Sequence, residues 1–120
     1  MFLGLRTAIY PVADLARAKH WYEQVVGVAP YFDQPFYVGF SVGGFELGLL
    51  PDGTPEVAGP QPLWGVTDAD AAYRRLLELG ATELESVKDV GEGVKVAAVK
   101  DPFGNRLGII ENPHFRIAGE

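Results

Sequence analysis

The sequence predicts an α+β domain of two tandem βαβββ modules, which form a cupped, mostly antiparallel mixed β-sheet with the helices outside. Two internal matches predict this architecture. Residues 12–27 and 66–80 share a strand residue, an Asp, about three helical turns and a Gly. Further on, Phe45–Leu50 and Asn105–Ile110 share a Leu-Gly pair followed by two aliphatic residues. A repeat of this length indicates two copies of one supersecondary unit.

Each module contains one predicted helix with recognisable ends. Asp14 and Asp68 are suited to accept hydrogen bonds from the free amides of a first turn. Gly27 and Gly80 suit the left-handed position that ends a helix. The apolar residues expected on one face are Leu15, Ala18, Tyr22, Val25 and Val26 in the first helix, and Ala72, Leu76, Leu77 and Leu79 in the second.

Eight strands follow from apolar runs bounded by turn residues. They are predicted near Leu5–Tyr10, Ala29–Asp33, Phe36–Val42, Phe45–Leu50, Pro62–Val66, Thr82–Val87, Val94–Val99 and Arg106–Glu111. Gly43-Gly44 and residues 102–105 are predicted hairpin turns. A proline-rich linker at about 52–61 separates module 1, at about 1–51, from module 2, at about 62–113. The whole chain, 1–120, is predicted to be one domain.

Composition and charge limit the partners. The chain of 120 residues is 48% hydrophobic and 22% charged, an ordinary globular balance. It contains no cysteine, which excludes disulfides and thiolate metal sites and is compatible with a cytoplasmic location. The opening residues lack the pattern of a signal peptide, and no window resembles a membrane span, so we expect no membrane partner. The net charge of −6 argues against nucleic acid and favours a cationic ligand.

The order and spacing of five short motifs resemble the vicinal oxygen chelate superfamily. This superfamily includes glyoxalase I, bleomycin-resistance proteins, fosfomycin-resistance enzymes and extradiol dioxygenases. The resemblance extends from about Leu5 to Pro113 and implies a homodimer that binds a small molecule. The motifs are Asp14-Leu15, Trp21-Tyr22, Glu46-Leu47, Val66-Thr67-Asp68 and Asp101-Pro102-Phe103-Gly104-Asn105.

The resemblance also implies where metal ligands would lie. Enzymes of the superfamily hold a divalent metal with one His, Gln or Glu side chain from each of four strands. The corresponding positions here are Thr7, Glu46, Gln61 and Gly108. Glu46 alone is charged, and Gly108 has no side chain where a carboxylate would stand. Because one carboxylate and neutral oxygens bind a transition metal poorly, we predict no metal cofactor, with a divalent metal as the alternative.

Several side chains have two interpretations. Glu46 is either an exposed strand carboxylate or a carboxylate within the cup, acting as a ligand-orienting acceptor or as a general base of raised pKa. Trp64 and Tyr37 are either core residues or ligand-binding walls. Arg6 is either an anchor for a carboxylate or phosphate or a residue facing water. His20 is expected on the outer face of its helix, and His114 in the surface tail.

Two classes of function follow. The first is a metal-free binding protein that sequesters or senses a small, partly aromatic molecule, with Thr7, Glu46, Gln61, Trp64, Tyr37 and Gly108 at its site. The second is a metal-dependent lyase or dioxygenase of glyoxalase type in which Glu46 is the catalytic residue. A third possibility is a subunit whose partner supplies the chemistry. Fold alone does not choose among them.

Overall fold

The computed structural model describes residue 3, residues 5–57, residues 61–115 and residue 117. Residues 58–60 of the predicted linker lie outside these. The described chain divides into two compact units. The first unit contains the residues up to Glu56 together with Phe103–Asn105, and the second contains Val57–Pro102 and the residues from Arg106 onward.

Each unit contributes one helix and four strands, so the predicted α+β class and the two βαβββ modules are confirmed. The elements are β1 (Thr7–Pro11), α1 (Leu15–Val26), β2 (Phe32–Gln34), β3 (Tyr37–Val42), β4 (Phe45–Leu50), β5 (Leu63–Gly65), α2 (Ala69–Glu78), β6 (Thr82–Gly91), β7 (Val94–Lys100) and β8 (Arg106–Glu111). Neither described helix has the length and apolar character needed to cross a membrane.

The sheet of the first unit has the order β1-β4-β3-β2, with β1 and β4 parallel and the other pairs antiparallel. Helix α1 packs on β3 and β4. The buried side of the sheet and the helix share one core, made of Ala18, Trp21, Tyr22, Val38, Phe40, Leu47 and Leu49. Side chains alternate along a strand, so Glu46 and Gly48 lie on the side of β4 opposite the helix.

The sheet of the second unit repeats this order as β5-β8-β7-β6, with β5 and β8 parallel. Leu63 lies opposite Gly108, and Trp64 lies opposite Ile109. Helix α2 is joined to β8 by a hydrogen bond of 2.9 Å from the Ala69 amide to Glu111 Oε1. This bond satisfies one of the free amides at the start of the helix.

The predicted helix ends are confirmed. Asp14 accepts a hydrogen bond from the Arg17 amide at 3.0 Å, and Asp68 accepts one from the Ala71 amide at 3.1 Å. Gly27 and Gly80 adopt φ of 77° and 104°. The predicted helix faces need correction, since Trp21 of α1 and Ala69 and Tyr73 of α2 are buried, whereas Val25, Val26, Leu77 and Leu79 are half-buried.

Two strand boundaries also differ from the prediction. Strand β2 begins at Phe32, not near Ala29, because Pro30 has no amide to donate and pairing starts with the Tyr31 amide bonded to the Gly39 carbonyl. Strand β6 continues to Gly91, beyond Val87. The β6–β7 hairpin is closed by Gly91-Glu92-Gly93, whose φ angles are 101°, 57° and 77°.

Phe103–Asn105, which directly precede β8, belong to the first unit. Asn105 is buried, and its Nδ2 donates to the Pro11 carbonyl at 2.6 Å while its Oδ1 accepts from the Glu56 amide at 3.2 Å. The ring of Phe103 meets Trp21 edge-on at a centroid distance of 5.9 Å. Phe103 and Asn105 of the Asp-Pro-Phe-Gly-Asn motif therefore make these contacts within the first unit.

Candidate functional site

Glu46 lies near the middle of the first unit's sheet, because β4 runs between β1 and β3. In the register, Thr7 of β1 and Ser41 of β3 lie directly opposite Glu46 on either side. Paired residues of adjacent strands direct their side chains to the same face of a sheet. The carboxylate is therefore surrounded by hydroxyl-bearing residues on the face that helix α1 leaves open.

Three hydroxyl groups bind the Glu46 carboxylate. Thr7 Oγ1 donates to Oε1 at 3.1 Å, and Tyr37 Oη donates to the same oxygen at 2.8 Å. Tyr31 Oη donates to Oε2. We call Thr7, Tyr31 and Tyr37 the hydroxyl triad. Hydrogen bonds to an ionised acceptor are about twice as strong as neutral ones, so the triad fixes both the charge and the position of Glu46.

Two glycines make room for this arrangement. Gly39 and Gly48 lie opposite each other in β3 and β4. A Cβ atom at residue 39 would lie 2.6 Å from Glu46 Oε2 and 3.1 Å from the Tyr31 ring. A Cβ atom at residue 48 would lie 2.7 Å from Tyr37 Cζ. The two positions therefore favour glycine, because the space of a side chain there is taken by Glu46, Tyr31 and Tyr37.

The electrostatics of the site follow from these contacts. Burial acts to raise the pKa of Glu46, but the hydrogen bonds from Tyr31, Tyr37 and Thr7 outweigh it and hold the pKa below 4.5. Burial and the Glu46 carboxylate raise the pKa of Tyr37 to about 12, and the hydrogen bond to Glu46 raises the pKa of Tyr31. This shift is opposite in direction to the raised pKa expected of a general base, and a catalytic role for Glu46 stays a prediction.

A pocket of about 340 Å³ opens above this carboxylate. Its lining residues are Arg6, Thr7, Tyr31, Ser41, Gly44, Phe45 and Glu46. Two of the predicted site residues, Thr7 and Glu46, are thus brought together in one pocket. Tyr37 does not line the pocket, and its hydroxyl group donates a hydrogen bond to Glu46 Oε1. The lining residues therefore include one acidic residue, one basic residue, two aromatic residues, and two hydroxyl-bearing residues besides Tyr31.

The other predicted site residues lie in the second unit. Gln61 is exposed and precedes β5. Trp64 is half-buried on β5, and its partner in the register, Ile109, belongs to the buried core. Because paired residues share a face, the position of Trp64 favours the core interpretation. Ligand-binding roles for Gln61 and Trp64 stay predictions.

Steric contacts explain why residue 108 is a glycine, and the sequence does not reveal them. A Cβ atom there would lie 2.8 Å from Leu63 Cδ2 and 3.0 Å from the Pro62 carbonyl oxygen. The space beside Gly108 is therefore filled by Leu63 on the neighbouring strand, and it is not an open vacancy left by a lost ligand. A carboxylate side chain at this position would need both Leu63 and the backbone to move.

The donor set does not fit the divalent metal that the resemblance implies. Both oxygens of Glu46 accept hydrogen bonds from hydroxyl groups, one of which belongs to Thr7. Gly108 has no side chain that could bind a metal. In the described part of the chain, no three His, Asp or Glu side chains are grouped as metal ligands. His20 is exposed on α1, and His114 Nε2 lies 2.7 Å from the Glu92 carbonyl oxygen. Neither histidine lines the pocket, which agrees with the predicted positions of His20 on the outer helix face and of His114 in the surface tail.

A comparison with protein families identifies the chain. The profile of the Glyoxalase/Bleomycin resistance protein/Dioxygenase superfamily matches residues 4–109. The chain belongs to this superfamily. An uncharacterized protein of Mycobacterium bovis is 28% identical over 131 residues, covering 91% of this chain and 86% of that protein. An uncharacterized protein of Mycobacterium tuberculosis has the same identity, with 76% of its length covered.

Solved structures share the superfamily fold. A glyoxalase-related enzyme from Fulvimarina pelagi superposes with a TM-score of 0.80 at 20% identity, covering 98% of this chain and 94% of that one. Lactoylglutathione lyase from Agrobacterium tumefaciens gives 0.74 at 19% identity, covering 97% and 100%. At such identities the likeness shows the fold, and the chemistry of this superfamily member has to be argued from its own residues.

Sequence reasoning did not place Tyr31, Ser41 and Phe45 in the site. Ser41 carried a usable signal, because a two-residue Gly43-Gly44 turn sets Ser41 opposite Glu46 in the hairpin. Phe45 adjoins Glu46 in the same hairpin. Tyr31 carried no such signal, since its hydroxyl reaches Glu46 from the segment before β2, across an intervening strand.

Proposed function

We propose that this superfamily member is a small-molecule-binding protein, which sequesters or senses its ligand at the Glu46 pocket without a metal. One observation carries the proposal, namely the ionised Glu46 carboxylate fixed by the hydroxyl triad at an open pocket of about 340 Å³. The hydroxyl groups give the carboxylate the stabilisation that a metal ion gives the corresponding ligand in enzymes of the superfamily. Glu46 is then a fixed hydrogen-bond acceptor for a ligand.

The pocket's size and surface support binding. Small-molecule sites usually measure about 300–1,000 Å³ and combine apolar walls with a few placed polar groups. Tyr31 and Phe45, which line the pocket, are 64% and 43% exposed and so are accessible to a ligand. A carboxylate offers about four acceptor sites, and the triad uses three. Glu46 therefore keeps acceptor capacity for one ligand donor.

A fragment screen followed by ¹⁵N-resolved NMR tests the proposal. We expect some aromatic fragments to shift the amide resonances of Arg6, Thr7, Ser41, Phe45 and Glu46 in metal-free protein. Glu46→Gln should weaken the binding of fragments with an N–H donor by about tenfold. Glu78→Gln, which changes an exposed carboxylate on α2, is the matched control. Absence of any fragment that shifts the pocket resonances would overturn the proposal.

The metal-dependent lyase or dioxygenase is the second candidate. It is favoured by Glu46, which corresponds to one of the superfamily's four metal-ligand positions and lines the pocket. On this hypothesis Glu46 would give up hydrogen bonds from the hydroxyl triad and bind a metal ion instead. Activity would then require added metal. Turnover of a glyoxalase or dioxygenase substrate that depends on both the metal and Glu46 would establish it.

A homodimer in the cytoplasm is proposed as the form in which the protein acts. Superfamily membership and the exposed rings of Tyr31, Phe32 and Phe36 support self-association. The net charge of −6 supports the proposal that nucleic acid is not a partner. Sedimentation equilibrium should give twice the chain mass, and a concentration-independent monomer would contradict the homodimer.

A further inference from the structure

The Glu46 carboxylate is an anion that no cationic side chain of the described residues neutralises. The ion pairs within that part of the chain are Lys19–Asp33, Lys95–Asp70 and Arg106–Glu85. Glu46 takes part in none of them, and the groups that bind its oxygens are three neutral hydroxyls. Because a charge that is half-buried is stabilised by an opposite charge, the pocket has a place for a cationic ligand.

The strand residues that surround Glu46 on its side of the sheet are uncharged. Residues that are paired in the register, or two apart along a strand, share this side. They include Thr7, Ile9, Phe32, Gly39, Ser41 and Gly48. Ile9 is 55% exposed and Phe32 is 37% exposed, so the surface near the carboxylate is partly apolar. An organic cation therefore gains apolar contacts here that a hydrated inorganic ion does not.

Arg6 does not supply the missing counter-charge. The hydrogen bond between Arg6 and Glu46 joins their backbones, from the Glu46 amide to the Arg6 carbonyl oxygen at 2.7 Å. Successive side chains of an extended chain point to opposite sides, so the Arg6 side chain is directed away from the side of Thr7 and Glu46. Its guanidinium donates from Nη1 to the Leu3 carbonyl oxygen at 3.3 Å. The cation therefore has to come from the ligand.

The hydroxyl triad limits how many hydrogen bonds a ligand can donate to Glu46. Each carboxylate oxygen offers about two acceptor sites. Oε1 accepts from Thr7 and Tyr37, whereas Oε2 accepts from Tyr31 alone. One site therefore stays open, on Oε2. A guanidinium fork needs both oxygens of a carboxylate, and Oε1 has no site left for it.

An aromatic ring adjoins the open acceptor site. The Tyr31 hydroxyl is bonded to Oε2, so a cation bound at this oxygen lies beside the Tyr31 ring. The Tyr31 side chain is 64% exposed and lines the pocket. A cation placed over an aromatic face is attracted by the ring's electrons, and N-alkyl groups add apolar contact with the ring.

Resting on the proposed binding function, we propose that the Glu46 pocket takes a tertiary ammonium cation that carries an aromatic or alkyl group. The single N–H of the ligand donates to Glu46 Oε2, and its N-alkyl groups lie against the Tyr31 ring. A primary ammonium has three N–H groups to satisfy and a guanidinium has five, so both leave donors without a partner on the carboxylate. The net charge of −6 favours cations in general, whereas the open site on Oε2 selects this class.

Four probes that share a benzyl group test the inference by titration calorimetry at pH 7 and by NMR of the amides of Thr7, Tyr31 and Glu46. They are N,N-dimethylbenzylamine, which is a tertiary ammonium at this pH, benzylguanidine, benzyl alcohol and phenylacetate. We expect N,N-dimethylbenzylamine to bind at least about tenfold more tightly than each of the other three. Because the probes are compared on the wild-type protein, this result does not depend on the folding of a variant.

Two variants separate the pocket carboxylate from the general acidity of the chain. Glu46→Gln should weaken the binding of N,N-dimethylbenzylamine by at least about tenfold and leave benzyl alcohol unchanged. Glu78→Gln removes one negative charge from an exposed position on α2, and it should leave all four affinities unchanged. An equal loss of affinity in both variants would mean that the net charge attracts the cation, and the inference would be wrong.

The remaining outcomes distinguish this inference from the proposed binding function. If all four probes shift the pocket amides with equal affinity, the tertiary ammonium inference is wrong and the binding function stands. If benzylguanidine binds as tightly as N,N-dimethylbenzylamine, the restriction to one donor is wrong and the inference fails with it. If none of the four shifts the pocket amides at millimolar concentration, the inference is also wrong, and the fragment screen decides the binding function separately.

Discussion

Tyr37 Oη donates a hydrogen bond of 2.8 Å to Glu46 Oε1 from the strand beside it. The Tyr37 ring lies over Gly48, two residues beyond Glu46 on the same face of β4. Because the ring needs the space that a side chain at residue 48 would take, the glycine and the carboxylate belong to one structural arrangement. The hydroxyl triad thereby gives this superfamily member a fixed anion at a position where a metal ligand is expected.

Removing a phenol hydroxyl should raise the pKa of Glu46. In Tyr31→Phe and Tyr37→Phe, one of the hydrogen bonds that stabilise the ionised carboxylate is lost while burial still disfavours the charge. A ¹³C-detected carboxyl titration of each variant measures the change. An unchanged Glu46 pKa in both variants would mean that the triad does not stabilise the anion.

The contribution of Glu46 to stability should depend on acid pH. Its pKa is lower in the folded chain than the ordinary value of 4.5, so its stabilisation is present above about pH 4.5 and is lost as the pH falls through the folded value. The difference in free energy of unfolding between the wild type and Glu46→Gln should therefore be larger near pH 7 than near pH 3. Urea denaturation at the two pH values measures it. The same difference at both pH values would contradict the assigned ionisation.

Tyr37 should show the opposite dependence at alkaline pH. Its pKa is raised from 10.0 to about 12 in the folded chain, so its stabilisation is present below about pH 10 and is lost as the pH rises toward 12. Absorbance at the phenolate wavelength should reveal a late-ionising tyrosine that is absent from Tyr37→Phe. If Tyr37→Phe titrates with the same late component as the wild type, the late component does not belong to Tyr37.

Gly48→Ala should destabilise the first unit. The added methyl group overlaps the Tyr37 ring, and such overpacking usually costs about 1–3 kcal/mol in free energy of unfolding. In a Tyr37→Ala background the same substitution should cost much less, because the overlapping ring is gone. Gly65→Ala is the matched control, since nothing lies within 4 Å of a Cβ atom there. Equal costs with and without Tyr37 would show that the ring does not restrict residue 48.

Gly108→Ala should behave similarly in the second unit. The new methyl group would meet Leu63 Cδ2 at 2.8 Å and the Pro62 carbonyl oxygen at 3.0 Å, so we expect a loss of about 1–3 kcal/mol. Leu63→Ala should relieve part of this loss, because the carbonyl oxygen stays in place. A thermodynamic cycle of the four proteins measures the coupling. A neutral or stabilising Gly108→Ala would indicate open space at this position and restore the vacancy hypothesis.

The fold was predictable because its signals are local. Asp14 and Asp68 mark helix starts by side-chain chemistry, and Gly43-Gly44 sets a hairpin register within a few residues. Because the two halves of the sequence match, the elements of the second module could be predicted from those of the first. Strand β2 was one exception, because Pro30 has no amide to donate and the strand begins at Phe32 and not near Ala29.

The site was predictable only in its centre. Glu46 and Thr7 follow from the superfamily's motif positions. Tyr31, one of the three hydrogen-bond donors that lower the pKa of Glu46, is brought to it by the tertiary arrangement of the sheet. Leu63 and Gly108 are likewise related only through strand pairing. Contacts between residues distant in the chain leave no periodic signal, and a single sequence therefore does not reveal them.

Titration with divalent metal ions tests most directly whether Glu46 works without a metal. Tag-free protein purified without chelators is analysed for its metal content and then titrated with Zn²⁺, Ni²⁺, Fe²⁺ and Mn²⁺, beside Glu46→Ala. We predict no stoichiometric binding and no difference between the two proteins, because Thr7 and Gly108 do not complete a metal-ligand set with Glu46. Close to one metal ion per chain in the wild type, lost in Glu46→Ala, would contradict this and place the protein with the metal-dependent glyoxalases or dioxygenases.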